Sequence, residues 1–446
     1  MDLDGDIVHE WQADSAPGGD HYLLPDGSLL RSGREDDRPR FRGGGIGGRL
    51  QRLAPDGTLL WSWRLADENR HQHHDLEPLP DGNLLLLAWE RLSREEAIAL
   101  GRDPRGVGPQ GLWPDMVLEI RPRGADGAEV VWEWHARDHL IQDRDPALPG
   151  FGDPASRPGR LDINLGFVPP PEVSEQERRA REELEREMAA LGYLGGEEEE
   201  PPPADAPLGR WARTGDWMHT NSVDWHPGLD LILLSSPELH EIFVVDHSTT
   251  AEEARGSRGG RFGRGGELLW RWGNPANYGH GGPEDRRLFY QHQPLWLEDG
   301  GGLRLTVFNN GRGRPGGNRS TVEELVLPFA PERGFLREEG RPFGPERPAW
   351  IYEDRDRFYS AFISGAVRLP NGNTLVCSGV PGRIFEVTPE GRVVWDFRNP
   401  WGGEVEPPEH AGRAPKLALY RAARYAPDHP GIVALFQALG REVPVP

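Results

Sequence analysis

The stretch Leu79-Pro-Asp-Gly-Asn-Leu-Leu-Leu-Leu87 places a turn between two apolar runs and decides the fold of the chain. Proline presets φ for the turn and Asp-Gly supplies the positive φ that reverses the chain, so the phrase predicts a β-hairpin. The phrase recurs, sometimes with Asn or Glu before the Gly, at residues 22–30, 53–60, 369–376 and 387–395, with looser versions near 225–233 and 296–305. So many hairpins predict an all-β protein.

The hairpins are of two alternating kinds. One kind starts from a polar, His-containing phrase, at residues 20–21, 73–75, 219–221 and 291–293. The other kind ends in aromatic runs at 61–63, 132–134, 270–272, 350–352 and 395–397. Two hairpins make a four-stranded unit, and radial repetition of such units is a β-propeller. A pair of β-sandwiches would not explain the alternation.

Five nearly complete units begin near residues 20, 73, 219, 291 and 363. A sixth would pair the C-terminal residues 417–425 with the N-terminal residues 6–11, which would protect strand edges that otherwise recruit other chains. We therefore expect a six-bladed β-propeller, with residues 1–446 forming a single domain.

Two insertions interrupt the pattern. Residues 94–101 read as a short helix capped by Ser93. Residues 172–205 are strongly acidic, with helix-forming composition over 174–191 and a flexible linker over 197–203. We interpret this acidic insertion as a solvent-exposed segment that extends from one blade. The alternative is that it docks a partner.

Composition excludes several classes of protein. The net charge of −21 disfavours nucleic-acid binding, and Lys416 is the only lysine, so arginine supplies nearly all positive charge. Cys377 is the only cysteine, which excludes a disulfide framework and a zinc site built from several cysteines. No apolar run approaches the roughly 18 residues needed to span a membrane. We expect a soluble globular protein, and no cofactor is indicated.

The first residues already resemble a turn and its following strand. This suggests that the strand before the turn is missing, so that the recorded start lies inside a longer reading frame or follows a removed leader. No signal peptide is visible, and the compartment stays open.

The innermost strand of each blade lines a propeller's channel, and four of these strands begin with histidine: His21, His73 with His74, His219 and His292. Imidazole serves as nucleophile, proton carrier or metal ligand near neutral pH. The alternative is that these histidines only solvate the channel. Residues 71–74 also suggest a metal site, but no carboxylate-and-His set follows at convincing spacing.

A second cluster, at residues 308–320, combines Asn310 and Arg314 in a Gly-rich segment that follows the His292 strand. Guanidinium and amide donors match sulfate or phosphate oxygens. Arg383, which opens a later strand, is a further candidate. The alternatives are a solvated surface loop, and an ion pair of Arg383 with Glu386 or Glu390.

These phrases resemble the bacterial arylsulfotransferases that work without a nucleotide sulfate donor. The resemblance rests on residues 216–223, 291–292, 308–311 and 359–360. A broad branch of that family also shares residues 73–82, 271–275, 246–250, 363–366 and 369–375. The resemblance covers almost the whole chain, apart from the acidic insertion. It implies a six-bladed propeller, transfer of a sulfuryl group from an aryl sulfate to a phenol through a sulfated histidine, and an exported or periplasmic location.

Carried over by motif, His219 and His292 match two channel histidines, and Arg314 matches the sulfate-holding arginine. The histidine that becomes sulfated in the family precedes a phrase that here reads Ile384-Phe-Glu-Val387, where this chain has Arg383. An arginine cannot act as that nucleophile at neutral pH.

Two hypotheses follow. In the first, His219 or His292 is the nucleophile or base; His73, His74, Asn310, Arg314 and Arg383 bind the substrate; and Trp217, Trp296 or Tyr359 stacks on it. In the second, the same channel binds an anionic or aromatic ligand without catalysis, or with different catalysis. A metal-dependent hydrolase using His71, His73 and His74 is a third possibility.

Overall fold

The computed structural model describes residues 1–35, 41, 43–166, 183, 186, 215–298, 301–401 and 417–444. Within these residues the chain forms five four-stranded antiparallel sheets arranged as the blades of a propeller. In none of these parts is there a helix long and apolar enough to cross a membrane. Of the acidic insertion, only Glu183 and Arg186 are described, both helical, so the interpretation of residues 172–205 lies outside the described structure.

Blades 1 and 2 are hairpin pairs in sequence order. Blade 1 contains β1 (Pro17–Leu23), β2 (Leu29–Arg34), β3 (Gly48–Leu53) and β4 (Leu59–Arg64). Blade 2 contains β5 (Arg70–Pro78), β6 (Leu84–Glu90), β7 (Asp115–Arg123) and β8 (Gly127–His135). A small parallel pair follows, β9 (Leu140–Ile141) and β10 (Leu161–Asp162).

The other three blades repeat the arrangement. Blade 3 contains β11 (Ser222–His226), β12 (Leu231–Ser236), β13 (Glu241–Asp246) and β14 (Trp270–Trp272). Blade 4 contains β15 (His292–Leu297), β16 (Arg304–Asn309), β17 (Thr321–Val326) and β20 (Trp350–Glu353), with the small hairpin β18 (Phe329–Ala330) and β19 (Gly334–Phe335) between its last two strands. Blade 5 contains β21 (Gly365–Arg368), β22 (Thr374–Ser378), β23 (Arg383–Val387) and β24 (Val393–Arg398).

The helices are short. Outside the acidic insertion, the described residues form α1 (Arg94–Ala99), α2 (Ala251–Ala254) and α3 (Pro430–Ala438). Ser93 caps α1 as predicted, in a capping box with Glu96.

The hydrophobic core lies between the blades because successive side chains of a strand point to opposite faces. On β6, Leu84 and Leu86 pack toward blade 1, whereas Leu85 and Leu87 pack toward blade 3. The same division on β12 and β16 produces the cores on either side of blades 3 and 4. A continuous run of leucines on the middle strands is therefore what a propeller blade, buried on both faces, requires.

The sixth blade is not formed, and this prediction was wrong. Residues 417–425 and 6–11 contain no strand. Instead, the C-terminal segment crosses between blades 5 and 1: the Leu419 N–H donates to Gly379 O at 3.0 Å, and the Ser364 N–H donates to Tyr420 O at 3.2 Å. The N-terminal residues are held separately, since the Trp395 Nε1–H donates to Leu3 O at 2.9 Å.

Arg421 explains this course of the chain, because it is buried at the centre, where it binds the carboxylates of Asp20 and Asp75. A buried guanidinium needs such anions, so the segment turns inward rather than extending along an edge. Helix α3 then lies beside the Leu24–Gly27 turn of blade 1, with the Leu435 backbone next to Gly27 and Gly431 next to Leu24 O.

Candidate functional site

The starts of the inner strands bring histidines from different blades together at the centre. The His74 and His219 rings lie 4.5 Å apart between centroids, edge to face, and His73 Nδ1 lies 2.8 Å from His74 Nδ1. Both His74 (φ 52°) and His219 (φ 53°) have a left-handed backbone. That conformation is uncommon for residues other than glycine, and such strain concentrates at functional sites.

His219 is oriented by a carboxylate. Its Nδ1 makes a hydrogen bond to Asp216 Oδ2, while Asp216 Oδ1 accepts from Trp89 Nε1 at 3.0 Å. Within the described parts of the chain, His219 Nε2 has no hydrogen-bond partner, and the residue is 7% exposed. With Nδ1 protonated toward Asp216, Nε2 presents its lone pair, as in the imidazole of a catalytic triad.

His292 has no such freedom, because both of its ring nitrogens are used. Nδ1 lies 2.7 Å from Asn310 Oδ1 and 3.1 Å from Tyr290 O, two acceptors that require a proton on Nδ1. Nε2 then accepts from the Ile363 N–H at 3.1 Å. The amide of Asn310 is equally occupied, since its Nδ2 donates to Ser360 O and Ile363 O.

Burial keeps His292 and His74 neutral. It lowers the pKa of His292 to about 3, although its bond to Asn310 opposes this change. It also lowers the pKa of His74 well below the usual value, and the neighbouring His219 lowers it further. Because their pKa values are lowered, these two imidazoles do not take up a proton at neutral pH, and they do not compete with His219 as bases.

The central cation is Arg421, which the sequence interpretation did not select. It lies 2.9 Å from Asp75, also binds Asp20, and donates to Asn221 O at 2.9 Å. Burial alone would lower its pKa, but Asp75 and Asp20 raise it well above the usual value. The sequence predicts residues 417–425 to be an edge strand. The only signal in the sequence for a buried cation is the presence of Asp20 and Asp75 on the inner strands.

Neither predicted arginine is seen to contact the histidines. Arg314 donates to Thr321 Oγ1 at 3.0 Å and lies 3.4 Å from Glu323. Arg383 forms two hydrogen bonds with Asp396, at 2.9 and 2.7 Å, and not with Glu386 or Glu390.

The remaining candidates lie apart from the centre or in the core. The side chain of His21 is 55% exposed, and its neighbour Asp20 faces inward instead. Trp217 is buried at 1% exposure and Trp296 at 8%, whereas Tyr359 is 36% exposed and lines a separate cleft.

The metal hypothesis gains no support. Nε2 of His71 lies 3.3 Å from Gly47 O, and burial lowers the pKa of His71 to about 4. Among the residues that the structure describes, no group of three or more His, Cys, Asp or Glu is placed to hold a metal ion.

Comparison with known structures finds distant likenesses. A protein of unknown function from Bacteroides caccae is 12% identical with a TM-score of 0.37, covering 83% of this chain and 77% of that one. Virginiamycin B lyase from Staphylococcus aureus is 10% identical with a TM-score of 0.35, covering 87% and 72%. No curated protein sequence matches the chain significantly.

The family comparison is more specific. The model of the arylsulfotransferase (ASST) family matches residues 45–325, which is more than half of the chain and includes His73, His74, His219 and His292. The chain therefore belongs to the arylsulfotransferase family.

Proposed function

We propose that this protein transfers a sulfuryl group from an aryl sulfate to a phenol, with His219 as the nucleophile and Asp216 as the residue that orients it. The observation that carries the proposal is the pairing of His219 Nδ1 with the buried Asp216 carboxylate, which leaves Nε2 available. Family membership supports the reaction class.

The proposed reaction has two steps. His219 Nε2 attacks the sulfur, the bond from sulfur to the phenolic oxygen breaks, and the electron pair leaves with the phenolate. The acceptor oxygen then attacks the sulfur, the N–S bond breaks, and the acceptor's proton passes to the released phenolate. Asp216 stabilises the positive imidazole that forms in the first step, as the triad carboxylate does in hydrolases.

His292 and Asn310 have a different role in this proposal from the one their sequence positions suggested. Because both His292 nitrogens and both functional groups of Asn310 are engaged within the protein, we assign them to holding the loop around Ile363 in place. In this proposal His73 and His74 lie on the substrate side of His219, with His74 as a neutral group.

The rival function is binding of an aromatic anion without turnover. It is favoured by one observation. Arg314 and Arg383, which the sequence suggested for stabilising the transferring group, and Arg421 at the centre all pair with carboxylates and are already neutralised. Electrostatic stabilisation is usually the largest contribution to such catalysis.

The test measures release of nitrophenol from p-nitrophenyl sulfate with a phenol acceptor, and the mass of histidine-containing peptides after exposure to the donor alone. We expect turnover in the wild type, a sulfuryl adduct on the peptide carrying His219, and loss of both in His219→Ala. His226→Ala, which changes a half-buried histidine at the far end of β11, is the matched control and should retain activity. Binding without adduct or turnover would favour the rival.

A further inference from the structure

A cleft beside blade 5 lies apart from the histidine cluster. Its volume is about 650 Å³, a size typical of ligand sites. Four arginines line it, Arg355, Arg357, Arg383 and Arg398, together with Phe358, Tyr359, Pro381 and the two carboxylates of Asp356 and Asp396. The lining carries two more positive than negative charges in a chain whose net charge is −21.

The strands themselves force two of these cations together. Arg383 on β23 and Arg398 on β24 are direct antiparallel partners. Like charges at directly opposite positions destabilise a sheet. Asp396, which interacts with both cations, offsets part of this repulsion, and a bound anion would offset more of it.

The carboxylates in the cleft neutralise only part of the charge. Asp396 is used by Arg383 through two hydrogen bonds, which fixes that guanidinium at the cleft wall. No carboxylate in the described part of the chain lies within 4 Å of the guanidinium of Arg357 or Arg398. These two side chains therefore offer the donors that match the oxygens of a tetrahedral anion.

An aromatic surface completes the cleft. Tyr359 is 36% exposed there, next to the buried Phe358. The volume is also far larger than an inorganic anion needs. A ligand that uses both features carries an anionic head group and an aromatic body.

We propose that this cleft is a second binding site, for aromatic anions with a sulfate or phosphate head group, in which Arg357 and Arg398 hold the head group and Tyr359 contacts the ring. The proposal does not depend on transfer at His219, because none of these residues contacts the histidine cluster.

Calorimetric titration at low salt tests it, with p-nitrophenyl phosphate and p-nitrophenyl sulfate as separate probes and inorganic phosphate as the third. The protein carries His219→Ala so that no probe is consumed. We expect one equivalent of each aromatic anion to bind in a step that the double variant Arg357→Gln/Arg398→Gln weakens at least tenfold. Binding of the sulfate ester at the histidine cluster is a separate step, which the double variant leaves unchanged. Preference for one nitrophenyl ester identifies the head group.

Two further variants distinguish specific binding from general attraction. Arg121→Gln/Arg123→Gln removes two exposed arginines of blade 2 and should leave affinity within twofold. Tyr359→Ala should weaken the nitrophenyl esters several-fold but leave inorganic phosphate unchanged. The proposal is overturned if the cleft double variant binds like the blade 2 control, or if no aromatic anion binds in the His219→Ala background.

Discussion

His219 and His292 begin the channel-facing segments of neighbouring blades, but their ring nitrogens have different partners. His219 pairs one nitrogen with Asp216 and leaves the other available, whereas His292 uses both, with Asn310 and Ile363. The availability of a lone pair, and not the residue type, therefore separates a nucleophile from a structural imidazole. The sequence placed both histidines at the centre but did not show which was free.

Asp216→Asn tests the orientation of His219. An amide at this position no longer accepts strongly from Nδ1 and favours the wrong tautomer, so we expect kcat for aryl sulfate turnover to fall by a factor of about 10³–10⁴, as in triad enzymes, with little change in KM. Steady-state kinetics measure both constants.

The matched control is Asp230→Asn, which alters another carboxylate–imidazole pair, Asp230 with His247, away from the centre. It should leave kcat within a factor of about two. Equal losses of kcat in the two variants would show that the Asp216 effect is general destabilisation.

Gly45, which lies between β2 and β3, packs against His74 of blade 2. The Gly45 carbonyl accepts from the His74 N–H at 2.6 Å, and Gly45 has φ of +71°. A Cβ atom there would overlap the His74 ring. This contact joins blades 1 and 2 and was not visible in the sequence, because Gly45 lies in one glycine-rich run among many.

Gly45→Ala should displace His74 and with it the wall of the site. We expect turnover to fall at least tenfold and the free energy of unfolding to fall by about 2–4 kcal/mol, of which left-handed strain accounts for about 1–2 kcal/mol. Chemical denaturation and the nitrophenol assay measure the two effects.

Gly57→Ala provides the control, since Gly57 has φ of +85° but nothing within 4 Å of an added Cβ. It should show the strain cost alone and normal turnover. If Gly45→Ala matched Gly57→Ala in both assays, the contact of Gly45 with His74 would contribute nothing to turnover or to stability.

The closure of the ring is a property of the whole molecule. Blades 1 to 4 each pack against the next through their inner strands, whereas the gap between blades 5 and 1 is bridged by the C-terminal segment and its Arg421. This one side chain links the carboxylates of blades 1 and 2 to a segment that is hydrogen-bonded to blade 5.

Arg421→Met leaves Asp20 and Asp75 buried without their cation, a change that costs about 3–5 kcal/mol. The loss should be smaller at pH 5 than at pH 8, because burial already raises the pKa of Asp75 to about 7 and protonation removes its charge. Arg424→Met removes a partly exposed ion pair with Glu386 and should lower the free energy of unfolding by about 1 kcal/mol or less. Denaturant midpoints compare the two, and equal losses would contradict the central role of Arg421.

Stability of the whole propeller should also depend on pH through His247, which joins Glu119 of blade 2 to Asp230 beside blade 3 at 3.1 and 2.7 Å. Burial opposes its charge, but these carboxylates raise its pKa to about 9. The folded protein therefore holds a proton that the unfolded chain loses near pH 6.5, and the stabilisation present below that pH is lost as pH rises to 9.

We expect the free energy of unfolding to fall by about 3 kcal/mol between pH 6.5 and 9 from this residue, at about 1.4 kcal/mol per pKa unit. Asp75 and Asp224, each with a pKa raised by burial to about 7, add to the fall only up to that pH. His74 and His292 have lowered pKa values and change stability with the opposite sign, only below pH 6.5. In His247→Asn the free energy of unfolding should change less between pH 6.5 and 9, whereas His226→Asn should behave like the wild type. Chemical denaturation at several pH values measures this dependence for each variant.

The hairpins, their alternation and the position of histidines at the inner strands could be predicted from sequence, because turn chemistry and period-two burial are local properties of a few adjacent residues. The number of blades could not, since residues 417–425 alternate well enough for a strand but carry Arg421, whose burial depends on Asp20 and Asp75 some 400 and 350 positions away. The same holds for the free nitrogen of His219 and for the cleft around Arg398. Hydrogen-bond partners and charge neighbours are set by tertiary contacts between distant segments, and only the folded chain decides them.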